Sequence, residues 1–291
     1  MWGVMCSAMI AHAAVFEFGP IPDDLKQSLL HQKLWHSQCP VPLERLALLR
    51  LSYTDFAGQS HTDGEMIVLD TLAPQVAQLF QELYQRHFPI AKIRLTSRYG
   101  GDDQRSMAHN NTSAYNCRLT SDGSGLPSVH AYGAAIDINP VQNPWVGPVN
   151  AKTGMIELLP VAGREFVNRA KQRPGMSEPI VPLVANAGLS IWGGNWNEPI
   201  DWQHFQVSRT VAHLLTVMTP TDAEAFFALY RRYPRALNTM DYKNHGIPLA
   251  KAYRYAPARF VRVWQQQAKR FDDMPPLAVV TTLQQAMNEP Y

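Results

Sequence analysis

The chain has 291 residues, enough for one large domain or two modest ones with a substantial core. A hydrophobic content of 46% is that of a globular protein and excludes general disorder and a polytopic membrane protein. Lys and Arg exceed Asp and Glu by only 26 to 24, and a net charge of +2 offers no footprint for nucleic acid. The N-terminal stretch Trp2–Ala14 is apolar and ends in Ala11-His12-Ala13-Ala14. It reads as a secretory signal segment over residues 1–14, although the usual positive n-region is missing. It is far shorter than the roughly 20 residues of a membrane-spanning helix, so no integral span is expected. With that segment removed, Cys39 and Cys117 remain, an even number suited to a disulfide in an oxidising compartment.

A short helix is expected over Asp23–His36, broken by the Cys39-Pro-Val-Pro run. Leu46–Tyr53 reads as a strand, Ala57–Gly64 as a polar turn and Glu65–Leu69 as a second strand. Val76, Leu79, Phe80, Leu83 and Tyr84 fall at helical spacing within Pro74–His87, with Pro74 near the tolerated N-terminal position. Ile90–Thr96 is a short β-rich run. Residues 98–127 are rich in Gly, Asn, Ser and Asp without periodicity, and a loop that long inside a domain points to function. Beyond the Pro/Asn-rich segment Asn139–Pro148, helices are expected at Ala162–Lys171 and Ile180–Ala187, the latter capped by Gly188. Strands follow at Leu189–Trp192 and Asp201–Val207. From Val211 the pattern turns helical (Val211–Met218, Asp222–Tyr233, Pro257–Arg270). A boundary near Ser208 therefore separates a mixed domain, 15–207, from a helical C-terminal extension, 208–291.

Two segments concentrate chemistry. Ser128-Val-His-Ala-Tyr-Gly-Ala-Ala-Ile-Asp137 places an imidazole and a carboxylate seven residues apart with small residues between. A turn after His130 and a strand near Ala135 would aim both side chains at one ion, and Gly133 would allow close backbone approach. Asp201-Trp-Gln-His204-Phe adds a second imidazole with a carboxylate three residues before it. Two His and one carboxylate leave a fourth position open, the pattern of a catalytic zinc site.

Ser-x-His-x-x-Gly-x-Ala-x-Asp followed by Asp-x-x-His-Phe resembles the zinc peptidases of the VanX/VanY type, the D-alanyl-D-alanine carboxypeptidases and related L-alanyl-D-glutamate endolysins. Trp192-Gly-Gly-Asn-Trp196 is similar to the family's Trp-Gly-Gly-x-Trp lead-in. Tyr99-Gly-Gly-Asp-Asp103, Asn110–Arg118, Asp137-Ile-Asn-Pro140 and Asn143-Pro144 extend the likeness over roughly residues 39–207. The resemblance implies zinc ligands His130, Asp137 and His204, with Asp201 as general base. Many relatives carry Glu at the last position. In that scheme zinc lowers the pKa of a bound water towards about 7, and a neighbouring carboxylate takes its proton and passes it to the leaving amine. The family's oxyanion arginine follows a Gly-Tyr-Arg context that this chain lacks. Arg118, anchored by Cys117, is preferred over Arg98, and Ser128 is expected to hydrogen-bond substrate.

The expected fold is α+β: a small, mainly antiparallel sheet carrying the zinc site, flanked by helices, plus the C-terminal extension. The implied activity is hydrolysis of peptide bonds in peptidoglycan stem peptides, as a D-Ala carboxypeptidase or an endopeptidase, by a periplasmic or secreted protein. The competing readings are a silent cell-wall-binding module on the same fold and a zinc dipeptidase or amidase of another substrate class.

Overall fold

Among the described residues the strands form three small antiparallel sheets, each of three strands. The structure, a computed structural model, describes residues 13–268 apart from 122 and 150, with scattered positions from 270 to 285. Most of the proposed signal segment lies outside the described residues.

The first sheet comprises β1 (Phe16–Pro20), β2 (Leu46–Thr54) and β3 (Ser60–Leu69) in the order β1-β2-β3. β2 is buried almost throughout because both faces are covered, which explains its nearly continuous apolar run. Helix α1 (Asp23–His31) precedes β2, and α2 (Ala73–Gln85) packs Val76, Leu79, Phe80 and Leu83 into the core beside it. β3 starts five residues earlier than expected, so the turn after β2 is short. Helix α1 stops at His31 because Lys33 adopts a left-handed φ of 57°, and Leu34 and Trp35 both donate back to the Leu29 carbonyl.

The run Ile90–Thr96 is a correction to the sequence reading, since it makes one isolated bridge, Ile93 with Thr112, and no strand. Side chains take some of its backbone groups: Ala91 donates to Asn139 Oδ1 and Arg94 to Asn111 Oδ1. Helix α3 (Asp103–Ala108) lies within the long polar loop, capped by Asp102. The helix expected over Ala162–Lys171 is replaced by a 3-10 turn at Val161–Phe166 followed by irregular chain. There Asn168 Oδ1 accepts from Ala170 N, a side-chain bond that competes with helix continuation. Arg169 is drawn away to Glu178.

The second sheet holds β4 (Ala135–Asp137), β7 (Ile191–Trp192) and β9 (His204–Gln206) in the order β4-β9-β7. The third holds β5 (Trp145–Val149), β6 (Ile156–Leu159) and β8 (Ile200–Asp201) in the order β6-β5-β8. The β5–β6 hairpin falls partly on the segment read only as Pro/Asn-rich. Helix α4 (Val181–Asn186) precedes β7, with Gly188 following it.

Beyond Ser208, which caps α5 (Arg209–Val217), come α6 (Pro220–Arg232), α7 (Pro234–Asn238), α8 (Ile247–Tyr255) and α9 (Pro257–Ala268). Their apolar faces join the sheets in one continuous core that includes Phe205, Val211, Leu215, Phe227 and Leu249. Arg45 ties the two regions together. It forms a bidentate pair with Asp70 at 2.6 and 3.0 Å and donates to the carbonyls of Leu215, Thr216 and Met218 at the end of α5. The fold is α+β with small antiparallel sheets and a helical C-terminal region, and no described helix is long and apolar enough to cross a membrane.

Candidate metal centre

His130 sits in a 3-10 turn, Val129–Tyr132, that Ser128 initiates by accepting the His130 N–H at 3.3 Å. Gly133 ends the turn with φ 64°, and a Cβ there would lie 2.6 Å from the backbone nitrogen of Leu69. Only glycine satisfies both demands, so the turn lies flat against β3 and the chain re-enters as β4. Register then does the rest: Asp137 on β4 faces His204 on β9. Residues 67 positions apart in sequence meet because two three-residue strands pair in this register.

The three side chains converge. His130 Nε2 lies 3.1 Å from His204 Nδ1 and 3.2 Å from Asp137 Oδ2, while His204 Nδ1 lies 3.0 Å from Asp137 Oδ1. Ligands about 2.1 Å from a tetrahedral ion stand about 3.4 Å apart. The donor atoms thus need only a few tenths of an ångström of adjustment. Each ring is aimed by its other nitrogen: His130 Nδ1 donates to the Ala114 carbonyl at 2.6 Å, and His204 Nε2 donates to Gln206 Oε1 at 2.7 Å. All three residues are buried, and the trio can hold a metal ion.

The three groups act strongly on one another's charge. Burial opposes ionisation of Asp137, but the facing His130 and His204 outweigh it and hold its carboxyl far below the usual range. Burial likewise disfavours the His204 imidazolium, yet the hydrogen bond and charge of Asp137 raise His204 to about 9.

Asp201 arrives from the neighbouring sheet, where β8 pairs with β5 and sets Asp201 opposite Trp145. Gly193 permits this approach, since a Cβ there would fall 2.5 Å from the Asp201 carbonyl oxygen and 2.8 Å from its Cβ. The Trp192-Gly193 pair is therefore a packing requirement of the second carboxylate. Burial, with the charges of Asp137 and Asp103 adding to it against the pull of His204, pushes Asp201 up to about 7. Its Oδ1 is buried without a hydrogen-bond partner among the described residues.

Arg118 and Arg98 part company in the structure. Arg118 runs beside the His130 segment, its carbonyl accepting from Ser128 N at 2.9 Å. Its guanidinium pairs with Asp103 at 2.7 Å, and its buried Nε has no partner among the described residues. Arg98 is exposed on the 3-10 turn Thr96–Tyr99. The disulfide Cys39–Cys117, expected from the cysteine count, is present and pins the loop next to Arg118. Ser128 is buried and serves the His130 turn as its cap.

The asparagine-rich motifs are scaffolding. Asn111 clamps Arg94 and Ser106, Asn116 donates to Gly101 O, and Asn139 donates to the carbonyls of Pro89 and Gly175. Among the tryptophans, Trp202 packs under Arg169 with the guanidinium 4.8 Å from its ring, Trp192 stacks on Phe205, and Trp196 stands 5.4 Å from the His204 ring. Sequence reasoning named Asp103 only as part of the Tyr99–Asp103 motif and did not assign its pairing with Arg118. It also missed Gln206, whose place two residues after His204 on a strand was a usable signal.

No curated protein and no solved structure gives a significant match to this chain. Residues 121–207, which enclose His130, Asp137, Asp201 and His204, match the family model described as D-alanyl-D-alanine carboxypeptidase.

Proposed function

We propose that the chain is a zinc-dependent peptidase that hydrolyses bonds in peptidoglycan stem peptides. The observation that carries this reading is the convergence of His130, Asp137 and His204, with the Asp201 carboxylate, whose Oδ1 has no hydrogen-bond partner among the described residues, close enough to feel their charges. Zinc held by these three would supply a Lewis acid that polarises the scissile carbonyl and acidifies water at neutral pH. The chain's own groups do the remainder. Asp201, with a pKa near neutrality, takes the proton of the attacking water and returns it to the leaving amine. Arg118, held in place by Asp103 and by the adjoining disulfide, faces the charge that develops on the carbonyl oxygen. Ser128 keeps its hydroxyl proton while accepting from His130 N, and offers it to the substrate.

The division into a catalytic domain, 15–207, and an extension, 208–291, belongs to this proposal. The extension braces the site: α5 packs on the Val129–Tyr132 turn, and Arg209 donates to the Pro127 carbonyl. The disulfide and the peptidase family support an extracytoplasmic location, periplasmic or secreted. Metal analysis of the purified protein, combined with mass spectrometry of stem peptides before and after incubation, tests the reading. One zinc per chain and metal-dependent cleavage are expected; a metal-free chain that leaves every peptide intact would refute it.

A further inference from the structure

The geometry points to Gln206 as a positioning residue that selects which nitrogen of His204 is offered to the metal. This rests on the metal reading above and extends it. His204 and Gln206 stand two apart on β9, so their side chains share one face. Across the sheet Gln206 lies opposite Ala135 on one side and Ile191 on the other. Its Oε1 takes the His204 Nε2 proton at 2.7 Å.

A neutral imidazole carries one ring proton, and the other nitrogen keeps the lone pair. With Nε2 held as a donor, the lone pair belongs to Nδ1, the atom 3.0 Å from Asp137 Oδ1 and 3.1 Å from His130 Nε2. The same logic governs His130 in mirror form, because the Ala114 carbonyl holds its Nδ1 proton and frees Nε2. The site therefore takes one imidazole through Nε2 and the other through Nδ1, each choice made by an outer acceptor. One acceptor is backbone and immune to substitution. The other is Gln206. Outer partners of this kind typically govern 10–100-fold in metal affinity.

The test is a zinc titration of full-length protein against a chromophoric chelator, comparing the parent with Gln206→Leu and Gln206→Glu. Leucine removes the acceptor and should weaken zinc binding by about 10–100-fold, while glutamate keeps it and should bind within a few-fold of the parent. Gln206→Asn, which withdraws the amide by one methylene, provides the same comparison if the leucine variant does not fold. Thermal melts of the metal-free proteins separate this from a role in packing, which would lower the Tm of the leucine and glutamate variants alike. In nitrogen-15-labelled, cadmium-loaded parent protein, coupling to the metal should appear at His204 Nδ1, with Nε2 still protonated. Equal zinc affinity of the parent and leucine variants, or metal coupling at Nε2, overturns the inference while leaving the metal centre standing. Failure of the parent itself to bind zinc overturns both.

Discussion

Replacing Asp201 by Asn should make the metal-free protein more stable and the enzyme far slower, and the stability gain should depend on pH in a fixed direction. Asp201 rises from an unfolded value of 3.8 to about 7 because its carboxylate is buried near Asp137 and Asp103. A carboxyl with a raised folded pKa binds its proton more tightly in the native state. Stability is therefore greatest below the unfolded value and is lost as pH climbs towards the folded one. About three units at 1.36 kcal/mol each set an upper bound of about 4 kcal/mol at pH 8. Solvent reaching the partly exposed residue lowers that figure, so a gain of about 1–4 kcal/mol is expected there. Urea denaturation of both chelator-treated proteins at pH 4 and pH 8 measures it, with little difference expected at pH 4. Zinc content should be unchanged, and turnover should fall by about 10²–10⁴, the typical contribution of general acid–base catalysis. A gain independent of pH would refute the electrostatic account of Asp201. Near-normal turnover would remove it as the base, and loss of zinc would make it a ligand.

Replacing Arg118 by Ala should leave zinc in place and cost turnover by about 10²–10³-fold, read from kcat on a stem peptide, whereas Arg98→Ala should leave kcat unchanged. Removing the disulfide with the Cys39→Ser, Cys117→Ser pair opens a sequence separation of 78 residues and should lower unfolding free energy by about 4 kcal/mol in denaturant titrations. Arg45→Ala leaves Asp70 without its partner and three helix-end carbonyls without a donor; a loss of about 2–4 kcal/mol is expected, with sheet and helix signals melting together.

What the sequence discloses here depends on how local its cause is. The grouping of His130, Asp137 and His204 was legible through the family resemblance that their two motifs carry, and the long helices because their apolar period survives into the core. Ile90–Thr96 has strand composition, yet Asn111 and Asn139 supply bonds to its backbone from distant segments. The Ala162–Lys171 helix fails for a similar reason, with Asn168 and the Arg169–Glu178 pair acting against it. The asparagines and Gly193 stand out as motif letters, but their role in holding loops and admitting Asp201 is set by contacts across the fold. Asp103 acts on another side chain, and a linear pattern of residue types carries no mark of that; Gln206 was marked only by its place two residues after His204 on one strand.

The central claim is that a metal held by His130, Asp137 and His204 drives peptide hydrolysis. Its most direct test follows cleavage of a defined stem peptide by mass spectrometry, using parent and His204→Ala protein, each stripped with chelator and then resupplied with one equivalent of zinc. The account predicts no cleavage by stripped parent, full recovery when zinc is returned, and neither zinc retention nor recovery in the variant. Cleavage by the stripped parent, or recovery in His204→Ala, would contradict it.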